Sequence, residues 1–236
     1  MNVQDEFIST VSHEMRTPLT SIRGFSQTLL SSWDKIDDEN KKKFIKIIEN
    51  QSNRLINLVE NILTVSKANS GNIIFKKVDV NYTIKNIIPM FSEQYKSHKI
   101  DFIADKNLPS ARLDDDKFQQ IMTNLIDNGC KYSPDGTSVI ISTELKEDYI
   151  YIKIKDEGVG IKKEDEGKLF KKFSRVENHL TSRTQGNGLG LYITKQLVES
   201  MHGEITFESE FNKGTTFIVK FPLYNPEEVL KCSQKS

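Results

Sequence analysis

Cysteine is scarce in this chain: 236 residues carry two. Cys130 falls in a helix-like stretch and Cys232 in a polar tail, so a structural disulfide is not expected and a reducing compartment is. Net charge is also absent, because Lys+Arg and Asp+Glu both total 33. No global field draws the chain onto nucleic acid or an anionic membrane, so partners must be met at local sites. No apolar run approaches the roughly 18 to 20 residues that span a bilayer. The opening MNVQDEF has neither the basic nor the apolar stretch of a secretory leader. The expectation is a soluble, cytoplasmic chain without membrane contact of its own. Internal repeats and low-complexity tracts are lacking too.

Up to Ser70 there is one proline, and apolar residues recur at alternating steps of three and four. That is a heptad signature. One helix carries Ile8, Val11, Met15, Pro18, Ile22, Phe25 and Leu29 in series; a second carries Phe44, Ile48, Gln51, Leu55, Leu58, Ile62 and Val65. Ser31 to Lys35 breaks the pattern, and Asp37-Asp38-Glu39 is an acidic, capped helix start suited to the positive end of the helix dipole. Two helices cannot bury so wide a stripe on each other, so a second copy should complete a four-helix bundle. A homodimer is expected.

From Asn72 to about Tyr224 short β-rich runs alternate with helical windows, an α+β layout. Strands are expected at 73–78, 99–103, 139–145, 149–155, 204–208 and 215–221, with 139–145 and 149–155 forming a hairpin. Helices are expected at 81–97, 114–132 and 189–201, all on one side of one sheet. The stretch 174–187 lacks periodicity and reads as a mobile loop, and the tail from Asn225 reads as frayed.

Four clusters carry chemistry. His13 falls opposite the packing seam and should face water, with Glu14 beside it and Thr17 one turn on. Pro18 removes a backbone N–H, frees the Glu14 carbonyl and favours a bend. The segment begins like the zinc-protease motif H-E-x-x-H, but Thr17 stands where the second histidine would be, which sets that chemistry aside. In NLIDNGCKYSPDG, Asn124, Asn128 and Lys131 share one helical stripe, a neutral oxygen donor for Mg2+ beside a lysine for phosphate. Gly129 costs roughly 1 kcal/mol in a helix interior, which a purely structural helix has little reason to accept. In DEGVGI, Asp156 can accept from an exocyclic amine, while Gly158 and Gly160 let backbone approach a flat ring. In GNGLGL, backbone N–H groups entering a helix could hold phosphate oxygens. The last two clusters are weak singly. G-x-G-x-x-G and G-x-x-x-x-G-K-[ST] are missing, which disfavours dinucleotide and P-loop folds.

In this order, from Phe7 to Pro222, the pieces resemble the histidine kinases of two-component signalling. FISTVSHEMRTPLTSIRGF is similar to that family's H box, NLIDNGCKYSP to its N box, DEGVGI to its G1 box, KLFKKFSRV to its F box and GNGLGL to its G2 box. The resemblance implies a dimerisation and phosphotransfer hairpin at 1–70, an α/β-sandwich ATP-binding domain at 71–226 and a polar tail at 227–236. His13 would be the phosphoacceptor through Nε2, with Glu14 polarising the Nδ1 proton. Asn128 would hold Mg2+ with Asn124 beside it, Lys131 would lie near the phosphates, Tyr132 against the base, and Asp156 on the adenine amine. Gly158, Gly160, Ile161, Phe173 and Leu189 would line the ATP site, Arg175 would reach the γ-phosphate, and Gly186, Gly188 and Gly190 would shape a lid. Catalysis would then consist mainly of positioning and charge neutralisation. The phosphoryl group would pass to an aspartate of a response regulator, and Thr17 implies phosphatase activity on that regulator.

Gly129 and Cys130 depart from the usual alanine and aliphatic residue, Ser174 from an aromatic and Asn187 from a threonine. None removes a group that the mechanism needs. Hsp90-type and mismatch-repair ATPases share the nucleotide motifs but lack a phosphoacceptor hairpin; a nucleotide-binding scaffold is the non-enzymatic alternative. Six residues precede the H box, so the chain is expected to be either the cytoplasmic core of a membrane-bound receptor or a short kinase regulated by a partner.

Overall fold

In the computed structural model of the protein, residues 3–68, 73–174 and 188–223 are described, the first stretch with side chains from 8 to 64. Internal contacts divide the chain into two compact units, Met1–Asn69 and Ser70–Ser236.

The first unit is a hairpin of α1 (Val3–Ser32) and α2 (Asp38–Ala68), joined through a 3-10 turn at Trp33–Lys35. α2 begins where Asp37 accepts the backbone N–H of Asn40 at 2.9 Å and its side-chain amide at 2.6 Å. Those bonds hold the Asp37 carboxyl below its ordinary range, the backbone bond first. α1 runs unbroken through Pro18. The Phe25 and Phe44 rings meet at 5.1 Å near the turn, and Glu14 meets Arg54 farther along, so the helices run antiparallel. The heptad positions are covered as expected: Pro18, Leu29 and Leu58 are buried, and Val11, Met15, Ile22, Phe25, Phe44, Ile48, Leu55 and Ile62 half-buried. Ile8 departs, at 57% exposed. A second row, Leu19, Leu30, Ile45, Ile56, Val59 and Leu63, stays exposed. Each helix thus carries more apolar surface than its neighbour can cover.

In the second unit, five strands form one sheet in the order β2 (Lys99–Ile103), β4 (Ser138–Lys146), β5 (Tyr149–Asp156), β7 (Gly214–Pro222), β6 (Glu204–Glu210). β2 and β4 are parallel and the other pairs antiparallel. Strict alternation decides which face is covered. Val139 and Ile141, then Ile150, Ile152 and Ile154, then Phe217, Val219 and Phe221 point inward and are buried. Tyr151, Lys153, Ile218 and Lys220 lie between them on the half-buried outer face.

The inner face is roofed by α3 (Val80–Gln94), α4 (Asp115–Lys131) and α5 (Gly190–Ser200). α4 contributes Phe118, Ile121, Met122, Leu125 and Ile126, all fully buried, and Phe118 meets Phe221 edge to face at 6.0 Å. An α+β fold with helices on one side of the main sheet is what the sequence led us to expect.

Two details differ. Ile73 to Phe75 are not strand: only β1 (Lys76–Val78) pairs, because its partner β3 (Ala111–Leu113) is three residues long. This separate two-stranded sheet was not anticipated, since three residues are too few to show a period. α3 also stops at Gln94 rather than Ser97, and Tyr95 caps it. The loop expected at 174–187 lies outside the described residues except for Ser174, as does the tail.

Asp114 starts α4. Its carboxylate accepts the backbone N–H of Lys117 at 3.3 Å and that of Ile74 at 3.0 Å, and pairs with the Lys117 ammonium. Burial alone would raise its pKa, but these bonds and the Lys117 charge outweigh it and hold the carboxyl below its ordinary value. Asp114→Asn, which keeps one capping oxygen but loses the charge and the second acceptor, should therefore lose about 1–2 kcal/mol at neutral pH. Because the folded pKa is depressed, that contribution is present above the unfolded carboxylate pKa and disappears as pH falls through the folded one. Urea unfolding of both proteins across the acid range checks this, and a pH-independent difference would contradict it.

Candidate functional site

On α1, His13 is exposed, as its place opposite the seam required. The Thr17 hydroxyl is one turn away and donates to the His13 carbonyl at 3.4 Å. Glu14 is half-buried and accepts from Arg54 of α2 at 3.1 Å. Arg54 has no local signature to mark it, since its partner is 40 residues away. Adjacent residues His13 and Glu14 thus have different surroundings: one faces water, the other is tied across the hairpin.

The second cluster forms where α4 ends and β5 leaves the sheet. Asp156, the last residue of β5, is 5% exposed. Its Oδ1 accepts the backbone N–H groups of Gly158 at 2.8 Å and Thr215 at 3.1 Å. Burial pushes the carboxyl up to about 6 against those two bonds. Its Oδ2 takes no hydrogen bond from a described residue. The loop after β5 is stitched down by Val159 donating to the Tyr132 carbonyl at 3.1 Å, Asn212 to the Val159 carbonyl at 2.8 Å and Ile161 to Ser209 Oγ at 2.9 Å.

Gly160 adopts φ +62, and a Cβ there would sit 2.1 Å from the Glu210 carbonyl oxygen. We read the first-order need for this glycine as room for the protein's own backbone.

α4 brings Asn124, Asn128 and Lys131 onto one half-buried stripe. They are used differently. Asn124 donates to the buried Thr194 of α5 at 2.7 Å, and a Cβ on Gly190 would meet Asn124 Oδ1 at 2.4 Å, so Asn124 ties α4 to the first turn of α5. The Asn128 side chain makes no hydrogen bond to a described residue. Lys131 is paired with Asp127 one turn back, and Asp127 also accepts the Tyr95 hydroxyl at 2.6 Å. Burial first, then the neighbouring Asp127, pushes the Tyr95 phenol well above its usual pKa.

Tyr132 is half-buried beside the Asp156 loop. Gly188 abuts the backbone of Phe173, and buried Leu189 precedes α5 without a side-chain cap. The start of a helix is where backbone N–H groups can meet an anion. Arg175 and Gly186 lie outside the described residues.

Gly129 lets α4 sit close to the sheet, since a Cβ would meet Val139 Cγ1 at 3.2 Å. Cys130 is buried and its thiol is pushed up to about 12 by burial, then by Asp127 and Asp156; it is an inert packing residue. The partners Arg54, Thr194, Thr215 and Tyr95 were not legible in the sequence, because each acts across a contact between distant segments.

In the second unit these elements can supply a hard amide oxygen, a lysine, a buried carboxylate whose Oδ2 takes no hydrogen bond from a described residue, and a helix start. Mg2+ accepts few protein ligands and completes its shell with phosphate and water. One amide that makes no hydrogen bond to a described residue, Asn128, fits that habit, and no group of three or more His, Cys, Asp or Glu side chains suited to a metal occurs among the described residues.

Comparison with known proteins agrees unit by unit. Residues 3–71 match the family described as His Kinase A (phospho-acceptor) domain, and residues 113–225 that described as histidine kinase-, DNA gyrase B- and HSP90-like ATPase. The chain is 36% identical to the sensor histidine kinase WalK of Bacillus subtilis over 94% of its own length and 37% of WalK. It is 34% identical to the signal transduction histidine-protein kinase ArlS of Staphylococcus haemolyticus over 93% of its length and 49% of ArlS. The chain thus spans about a third to a half of these relatives. Among solved structures, histidine kinase ThkA in complex with response regulator protein TrrA superposes with TM-score 0.76 at 26% identity, covering 94% of this chain and 62% of that one. Acinetobacter baumannii histidine kinase AdeS gives 0.72 at 26%, covering 90% and 98%. No described helix is long and apolar enough to cross a membrane.

The raised pKa of Asp156 has a thermodynamic consequence. Its folded value exceeds its unfolded one, so the ionised carboxylate opposes folding above about pH 6, and that penalty is relieved as pH falls toward the unfolded pKa. Asp156→Asn should match or exceed wild-type stability at pH 7, with its advantage shrinking below pH 6. Thermal unfolding of both proteins between pH 4.5 and 8, with the carboxyl titrated by carbon NMR, reads this directly. A carboxyl titrating at its ordinary value would contradict it.

Proposed function

Since the chain belongs to the histidine kinases of two-component signalling, we propose that it binds ATP in the second unit and moves the γ-phosphoryl group onto its own His13. The observation that carries this reading is the coexistence of an exposed histidine on a paired helix with a buried, acceptor-ready Asp156 beside the Asn128 stripe. An ATPase on the same nucleotide fold would have no use for the first.

Asp156 Oδ2 accepts from the adenine amine, Tyr132 and Ile161 flank the base, and Lys131 and the start of α5 at Leu189 and Gly190 meet the phosphates. Phe173 and Gly188 close the same side. Asn128 would hold the Mg2+, which would neutralise phosphate charge. His13 Nε2, with its lone pair free, forms the N–P bond as the bond from the γ-phosphorus to its bridging oxygen breaks, and ADP leaves with that oxygen. The Nδ1 proton stays on the ring, polarised by Glu14. Arg54 orients the Glu14 carboxylate.

The phosphoryl group then passes to an aspartate of a response regulator, a partner supported by the ThkA–TrrA complex. Thr17, with its hydroxyl on the same exposed surface as His13, is placed to orient water for the reverse dephosphorylation of that aspartate. The domains run 1–70 and 71–226.

The unshared apolar row on α1 and α2 supports a homodimer through a four-helix bundle. Two charges placed in it, Val59→Asp with Leu63→Glu, should convert a dimer to a monomer in light scattering while leaving nucleotide binding in the second unit unchanged. A wild-type monomer at micromolar concentration would count against the bundle.

Incubation with Mg2+ and γ-labelled ATP tests the main reading. Acid-labile, base-stable label is expected on wild type, absent in His13→Gln and strongly reduced in Asn128→Ala. ATP binding without any label on wild type would favour an ATPase or a scaffold.

A further inference from the structure

Tyr95 stands at the end of α3, outside every motif described above, and yet its side chain enters the network of the N box. Its hydroxyl donates to Asp127 Oδ1 at 2.6 Å, and Asp127 Oδ2 takes the Lys131 ammonium. Both oxygens of that carboxylate are therefore committed, one to α3 and the other to the lysine. All three groups are half-buried, where such bonds are stronger than in water.

The phenol is itself held in place. Phe91 stacks on it at 6.4 Å and His98 meets it edge-on at 5.9 Å. The His98 ring lies 3.1 Å from Ser97 Oγ and 3.4 Å from the Ser133 carbonyl, and Ser97 donates to Asp135 at 2.7 Å. The segment that follows α3 is thus strapped to the one that carries Asn128, Lys131 and Tyr132.

We propose that Tyr95 is a positioning residue for phosphate binding, acting through Asp127 on Lys131. This rests on the nucleotide-site reading of the preceding section. Lysine is a flexible point charge without directional preference of its own, so where it waits is set by its counter-ion. Asp127 restrains Lys131, and the Tyr95 hydroxyl moderates that restraint. It fixes the plane of the carboxylate and draws part of its charge into a second, charge-assisted bond. Without the hydroxyl, Asp127 turns fully onto Lys131 and competes harder with the phosphates.

The test is NMR titration of the whole chain, in excess Mg2+, with ATP and separately with adenosine, which lacks phosphate. Tyr95→Phe, which keeps the ring and its packing, should raise the Kd for ATP roughly three- to tenfold, the net scale of one ordinary hydrogen bond, because the hydroxyl acts on the lysine only through Asp127. Adenosine affinity should not change, and the ATP effect should vanish in a Lys131→Ala background. Asp127→Asn should shift ATP affinity the other way, because it removes the charge that restrains the lysine. Equal losses for ATP and adenosine, a loss persisting in Lys131→Ala, or no change in either ligand would each overturn the proposal. Wild type that bound neither ligand would instead reject the nucleotide site, and this inference with it.

Discussion

A carboxylate buried in the end of a sheet is the constraint on which the second unit turns. Asp156 is ionised at neutral pH although burial opposes it, and among the described residues its partners are two backbone N–H donors. Those donors come from the loop that follows β5 and from the start of β7, so the charge can be tolerated only if both segments are held in place. The loop is fixed by its bonds to Tyr132, Asn212 and Ser209. Gly160 accepts the left-handed backbone that this path needs. An acceptor on a rigid, desolvated frame follows from that arrangement.

α4 connects this constraint to the rest of the unit. One of its faces fills the core with Phe118, Ile121, Met122, Leu125 and Ile126, which fixes its rotation, while the other presents Asn124, Asn128 and Lys131. Rotation fixed by apolar packing thus aims the polar stripe. The stripe is divided by function: Asn124 serves the junction with α5, Asn128 makes no side-chain hydrogen bond to a described residue, and Lys131 is held by a counter-ion. In the hairpin the same logic leaves His13 exposed, because the seam takes the opposite face of α1.

Much of the fold was legible because its elements are long and strongly periodic. The heptad rows of α1 and α2, the alternation in β4, β5 and β7 and the apolar face of α4 all lie where the sequence pattern puts them. The misses are local. β3 is too short to show a period, and the end of α3 is decided by Tyr95 leaving the helix for Asp127, a partner 32 residues away. The glycines of D-x-G-x-G were legible as special, and the structure adds a reason that the sequence did not offer: at Gly160 a close approach to Glu210 of the same chain.

By itself the sequence determined the order of elements, the exposed register of His13 and the residue types at each motif, because periodicity and local spacing carry that information. Which carboxylate bears the burial cost, which asparagine is spent on helix packing and which counter-ion holds Lys131 were decided only by the tertiary structure. Each depends on groups distant in sequence, such as Thr215 for Asp156, Thr194 for Asn124 and Tyr95 for Asp127. Hydrogen bonding and desolvation act over a few ångströms of space, and no local pattern encodes which distant segments will come that close.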